Sequence, residues 1–148
     1  MPLAVDKVGK TYPALSYAVG REKIREYAEA VGETNSLYLD LDAARAAGYE
    51  DLVAPPMFAV VYAGRAVWPA LFDPELELNF AMLVHGAQEF HWERLVIAGD
   101  EIATEVSVAR IEERRGLGIY VFESRSSNQR GEPVCIGTWT NIVRGVEA

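Results

Sequence analysis

Two hydrophobic periods divide this chain. In the first half the apolar positions recur at helical spacing. Over Arg21 to Val31, Ile24, Tyr27, Ala28 and Val31 fall on one face, which predicts an amphipathic helix. Gly32 follows where a helix ends in the left-handed region. Asp40 or Asp42 is placed to cap a short helix over Ala43 to Ala47, and Gly48 stops it. Pro55 and Pro56 then stand where a third helix begins, because first-turn N–H groups lack an intrahelical partner anyway. That helix, Met57 to about Val67, is apolar nearly all round and must be buried on most sides. Arg65 is its one charge and is read as reaching an edge or interface, and Pro69 ends or kinks it.

From Leu76 onward the period becomes two. The expected strands are Leu78–Leu83, Gln88–Arg94, Glu101–Ile111, Gly118–Ser126 and Val134–Val143. Ala98-Gly99-Asp100, Arg115-Gly116 and Asn128-Gln129-Arg130-Gly131 mark the turns between them. The last three strands have short connections, which predicts antiparallel pairing. A buried helix followed by about five antiparallel strands is an α+β arrangement, one domain over residues 1–148. A curved sheet wrapped around the helix would bury both.

Composition narrows the function. The formal net charge of −8 and the absence of a basic run argue against nucleic acid and anionic membrane as partners. The amino-terminus meets an acid at Asp6, too soon for a signal peptide, and the apolar stretch Met57 to Phe72 is too short to span a bilayer. A cytoplasmic location is expected. The single cysteine, Cys135, permits no internal disulfide and reads as a buried small hydrophobe. His85 and His91 read as surface or strand-edge residues. No His/Cys/Asp/Glu spacing suggests a metal site, and no phosphate loop is present: Gly116-Leu117-Gly118 reads as a hairpin turn. No cofactor is expected.

The segment Gly32-Glu33-Thr34-Asn35-Ser36-Leu37-Tyr38-Leu39-Asp40 carries the most chemistry. It resembles Gly-Asp-x-Asn-Pro-x-His-x-Asp, the signature of the MaoC-like (R)-specific enoyl-thioester hydratases. The likeness continues through Ala43-Ala44-Arg45-Ala46-Ala47-Gly48-Tyr49, Leu52-Val53-Ala54-Pro55-Pro56-Met57-Phe58, His85-Gly86-Ala87-Gln88-Glu89-Phe90-His91 and Ala98-Gly99-Asp100-Glu101-Ile102. Tyr12-Pro13 and the Ala-Pro before the helix are most similar to the amino-terminal, FAS1-like type. That type includes the non-catalytic subunits of (3R)-hydroxyacyl-ACP dehydratases. The resemblance implies a hotdog fold, pairing of two hotdogs side by side, and syn hydration of a trans-2-enoyl thioester to its (3R)-hydroxyacyl form.

In that family an Asp and a His form the acid–base dyad. Here Glu33 and Tyr38 hold their positions. A phenol with a reference pKa near 10 is a poor base, and losing a general acid–base costs roughly 10²–10⁴-fold. Glu33 keeps a carboxylate but adds a methylene, and a shift of about 1 Å costs on the order of 10²-fold. In catalytic relatives the Gly after a Val-Ala-His supplies a backbone N–H to the thioester oxygen. The matching position is Pro56, which has no N–H; such a donor is worth roughly 10²–10³ in rate.

These substitutions favour the non-catalytic half of a dehydratase or hydratase. Its partners would be a MaoC-like catalytic subunit and an acyl thioester of CoA or acyl carrier protein. No catalytic residue is expected. Asn35, Met57, Phe58, Val61 and Tyr62 are the expected substrate-binding residues, although Asn35 is also an ordinary turn or cap residue. Two alternatives are a homodimeric acyl-thioester-binding protein without turnover and an autonomous hydratase using Glu33 and Tyr38. A hotdog thioesterase fits less well, because the central helix carries no Asp or Glu.

Overall fold

The computed structural model describes residues 3–146. Five antiparallel strands form one sheet in the order β1-β3-β4-β5-β2. They are β1 (Thr11–Ala18), β2 (Leu83–Trp92), β3 (Glu101–Arg114), β4 (Leu117–Ser127) and β5 (Pro133–Arg144). Among the described residues five α-helices lie between β1 and β2: α1 (Arg21–Ala30), α2 (Ser36–Leu39), α3 (Leu41–Ala46), α4 (Ala59–Tyr62) and α5 (Gly64–Leu71). The sheet curves around α5, which packs against β1, β3 and β4. This is the hotdog arrangement.

The helix signals act where the sequence places them. Gly32 and Gly48 take φ of 75° and 96°, past the ends of α1 and α3. Of the two candidate caps, Asp40 is the one used: its carboxylate accepts the N–H groups of Asp42 and Ala43 at 2.9 and 3.2 Å.

Three expectations need correction. The first half contains a strand, β1, where none was expected. It is an edge strand with a register shift between Tyr12 and Leu15, so Pro13 sits in an irregularity where its missing N–H is tolerated. The strand expected over Leu78–Leu83 is instead a pair of 3-10 turns, Pro74–Leu76 and Phe80–Met82. Asn79 accepts the Ala81 N–H and Glu77 sits at φ 51°; of the alternating apolar residues Leu76 is buried and Leu78 half-buried, whereas Phe80 and Met82 are exposed. The five strands are therefore not the five expected, and β2 starts at Leu83. Finally, the central helix is broken. A 3-10 turn, Pro56–Phe58, leads into α4, and α5 restarts at Gly64 with the Ala66 N–H bonding Ala63 O at 3.0 Å. Pro69 lies inside the last turns of α5 rather than ending it.

Burial of this helix is also one-sided. Phe58, Ala59, Tyr62, Ala63, Ala66, Val67 and Ala70 are buried. Met57, Trp68 and Phe72 are 45, 50 and 55 % exposed, and together with half-buried Val61 and Gly64 they form a stripe that this chain leaves uncovered. The stripe runs beside β2. At one end the Trp92 indole meets Pro56; at the other, the Trp68, Phe72 and Phe80 rings cluster with centroids 4.6–6.3 Å apart.

A polar latch closes the far side. Lys10 Nζ lies 2.5 Å from Asp73 and 2.6 Å from Glu75, and the Tyr12 hydroxyl donates to Asp73 at 2.6 Å. Burial pushes the Asp73 carboxyl up, but Lys10, Tyr12 and the Glu75 N–H outweigh it and leave it below its usual value. A depressed carboxyl stabilises the fold above its unfolded pKa, and that stability is lost as pH falls through its folded value. Lys10→Met removes the cation from a nearly buried carboxylate. It is expected to lower stability at pH 7 and to move the onset of acid unfolding to higher pH, as read by circular dichroism across an acid titration.

Candidate functional site

The loop between α1 and α3 is held by local capping. The Glu33 N–H bonds Ala28 O at 2.8 Å as the chain leaves α1. The Asn35 side-chain oxygen accepts the Leu37 N–H at 3.0 Å and caps α2. Gly32, Asn35 and Asp40 thus build the frame of the loop, each through its own backbone neighbourhood. Arg25 ties the loop to α1 through Leu39 O at 3.2 Å. The Val53 N–H reaches Leu37 O at 3.0 Å, and the Ala54 N–H reaches Val96 O at 2.8 Å. Those bonds place the start of the central helix between this loop and the segment preceding β3.

Glu33 and Tyr38 do come together. Tyr38 is half-buried on α2 and Glu33 is exposed. Burial and the Glu33 carboxylate push the Tyr38 phenol above its ordinary value, against a smaller opposing effect of Asn35. Tyr27, on α1, is raised for the same two reasons. Both phenols therefore stay protonated at neutral pH. They can donate hydrogen bonds but cannot take a proton from water. Tyr27 was legible only as a core position of α1; its place beside Glu33 comes from the turn at Gly32.

Pro56 is closed off on its other side as well. Its carbonyl accepts the Trp92 indole N–H at 2.8 Å. Trp92 is the last residue of β2, so this bond straps the end of β2 to the start of the helix. Beneath the strap lies a cleft of about 340 Å³ lined by Ala54, Pro55, Pro56, Tyr62, Trp92 and Leu95 among others. Of the five expected substrate-binding residues, Tyr62 alone is on its wall. Met57 is exposed on the stripe, Val61 is half-buried and Phe58 is fully buried. The Phe58 ring sits edge-on to Tyr27, centroids 5.5 Å apart, and also approaches Tyr17 and Tyr62 at 6.3 Å each. Trp92 and Leu95 went unnoticed in the sequence, where their only signal is two large apolar residues flanking a charged turn.

Other singled-out residues have quiet settings. Arg65 is exposed and lies over the Tyr17 ring at 5.4 Å. His85 Nε2 is 3.1 Å from Ala87 O, and His91 is exposed on β2. Cys135 is buried, and burial pushes its thiol up, away from the reactive thiolate. No helix among the described residues is long and apolar enough to cross a membrane.

Comparison with known proteins agrees with this geometry. A family model described as "FAS1-like, dehydratase domain region" matches residues 6–136. A UPF0336 protein of Saccharopolyspora erythraea is 42% identical over 146 residues, covering 98% of this chain and 94% of the relative. Among solved structures, the HadBC (3R-hydroxyacyl-ACP dehydratase) complex from Mycobacterium tuberculosis contains a similar chain. It is 29% identical with a TM-score of 0.79, over 95% of this chain and 99% of that one. A MaoC-like dehydratase superposes with a TM-score of 0.86 at 26% identity, over 95% of this chain and 43% of its own. Motif loop, curved sheet and family model coincide over nearly the whole length, and the chain belongs to the FAS1-like dehydratase region family, with MaoC-like hotdog dehydratases as its structural relatives.

Proposed function

We propose that this chain is the non-catalytic half of a (3R)-hydroxyacyl-thioester dehydratase, or enoyl-thioester hydratase. The observation that carries the reading is Pro56. At the position where a hydratase needs a backbone donor, this chain has a residue without an N–H, and the adjoining carbonyl is already bonded to Trp92. The dyad positions add to it: Glu33 is an exposed carboxylate and Tyr38 a phenol that stays protonated. Asp, His and the oxyanion donor then come from a MaoC-like partner.

The uncovered stripe supports such a partner. Contiguous exposed apolar surface marks a contact site. Met57, Trp68, Phe72, Phe80, Met82, Val84 and Trp92 are each at least 41 % exposed, on the helix stripe and along β2 or just before it. β2 is an edge strand bonded on one side only, to β5. A partner of the same fold adds its own edge strand there, and related edges meet antiparallel about a two-fold or near-two-fold axis. The similar chain in the HadBC complex supports pairing of this kind. On this reading the chain contributes scaffold and the apolar cleft at Tyr62, with Met57 and Val61 reaching the acyl group across the interface.

Co-expression with a MaoC-like subunit carrying the intact Asp/His motif tests the pairing. A one-to-one complex that survives size exclusion is expected, and Trp68→Asp with Val84→Asp should abolish it. Independent elution of the two unaltered chains would refute the reading.

A further inference from the structure

Most cations of this acidic chain are neutralised. Lys7, Lys10, Lys23, Arg21, Arg25, Arg94, Arg110, Arg125 and Arg130 each lie within 4 Å of a carboxylate. Five arginines have no such partner among the described residues. Arg45 donates to Glu50 O and Arg65 lies over the Tyr17 ring, whereas Arg114, Arg115 and Arg144 converge on one end of the sheet. In the β-ladder Arg114 stands opposite Leu117, and Leu117 stands opposite Arg144. Directly opposed residues share a face, so two guanidinium groups flank one leucine.

Arg115 occupies the first position of the two-residue turn between β3 and β4. It has φ 56° and Gly116 follows at 77°. A turn with both central residues at positive φ favours Asn, Asp or Gly at that first position. A long cation there costs backbone energy and presents its charge at the hairpin tip. The Glu113 carboxylate accepts the Gly116 N–H and no arginine among the described residues lies within 4 Å of it, and Glu77 lines the cavity on the other side of Arg144, so three cations face two carboxylates at this end.

Position gives this cluster a use. Arg144 lines a shallow pocket with Met82, Leu83 and Val84, at the start of β2. The other end of β2, Trp92, adjoins the helix-start loop and the cleft. Antiparallel pairing of two β2 edges brings the start of this strand beside the end of the partner's, where a chain of the same fold keeps its own site. We propose that Arg114, Arg115 and Arg144 hold the phosphate groups of the thioester's carrier at the mouth of the partner's site. The inference rests on the pairing proposed above. Guanidinium forks match phosphate geometry, which suits the pantetheine-linked phosphates common to CoA and a carrier protein.

Two measurements test it. In the first, the chain alone is titrated with coenzyme A and followed by amide NMR. Shifts centred on Gly116, Leu117 and Arg144 are expected, fading at high salt and absent from the variant R114Q/R115N/R144Q. Asn at position 115 suits the turn, so this variant retains its hairpin. A response to phosphopantetheinylated carrier protein but not to coenzyme A would support the site and assign the phosphate to the carrier. No hairpin response to either overturns the proposal.

The second uses the assembled pair. The variant should raise KM for crotonyl-CoA by about tenfold or more with kcat unchanged. A truncated crotonyl thioester without phosphates should be turned over alike by both pairs. An equal rise in KM for both substrates, or none for either, overturns the proposal. Failure of the chains to assemble removes the pairing instead, while a hairpin response to coenzyme A in the isolated chain still establishes the phosphate site.

Discussion

Replacing Phe58 by alanine is expected to destabilise the chain by about 3–5 kcal/mol, the usual cost of deleting a fully buried aromatic ring. At this chain length that lowers Tm by roughly 6–20 °C. Phe58 has no exposed surface and touches three tyrosine rings, one each from β1, α1 and α4. No single neighbour can fill the space, because Tyr17, Tyr27 and Tyr62 are each held by a different element. Met57, one position earlier, is 45 % exposed, and its alanine variant should stay within about 0.5 kcal/mol of the parent. Thermal unfolding of the two variants checks the contrast. The effect reaches the candidate site as well, since Phe58 buttresses Tyr27, which lies beside Glu33.

In the assembled pair, catalysis is expected to be asymmetric. Removing the dyad His from the partner should lower kcat by roughly 10²–10⁴. Glu33→Gln and Tyr38→Phe in this chain should leave kcat within about threefold, because neither group serves as acid or base at the proposed site. For Tyr38 the physical reason is protonation, since burial and the Glu33 charge together hold the proton on its oxygen; for Glu33 it is the missing N–H at Pro56, which leaves no donor for the thioester oxygen beside it. Steady-state hydration of crotonyl-CoA by the three variant pairs reads this directly. A large loss from either change in this chain would place the chemistry here instead.

Local chemistry made much of the fold legible. Gly32, Gly48 and Gly116 all take the positive φ that their turns require, and Asp40 caps where a capping residue was expected. The three long strands β3, β4 and β5 alternate over most of their length because one face is buried, with breaks at the β3 bulge and at Tyr120–Phe122 of β4. Where the reading failed, a second physical effect produced the same pattern. The strand β1 went unpredicted in a half that reads helical, and its edge position with an irregularity accommodates Pro13. Leu78 to Leu83 alternates, but Asn79 folds it into a turn. A nearly all-apolar helix suggested burial on most sides, whereas Met57, Trp68 and Phe72 leave one stripe of it exposed.

The site was legible in part for the same reason. The motif loop is contiguous, so its spacing survives in the sequence. The strap from Trp92 to Pro56 joins residues 36 positions apart and leaves no local trace. The arginine cluster was hidden likewise, since Arg144 meets the hairpin only across the β4–β5 ladder.

On the proposed reading this chain lacks its own acid–base chemistry and its own oxyanion donor. The most direct test is crotonyl-CoA hydration by the purified chain, alone and then mixed with an intact-motif MaoC-like subunit. A background rate is expected for the chain alone, and for the pair a rate that exceeds the partner's own. Measurable hydration by the chain alone, abolished by Glu33→Gln, would contradict it.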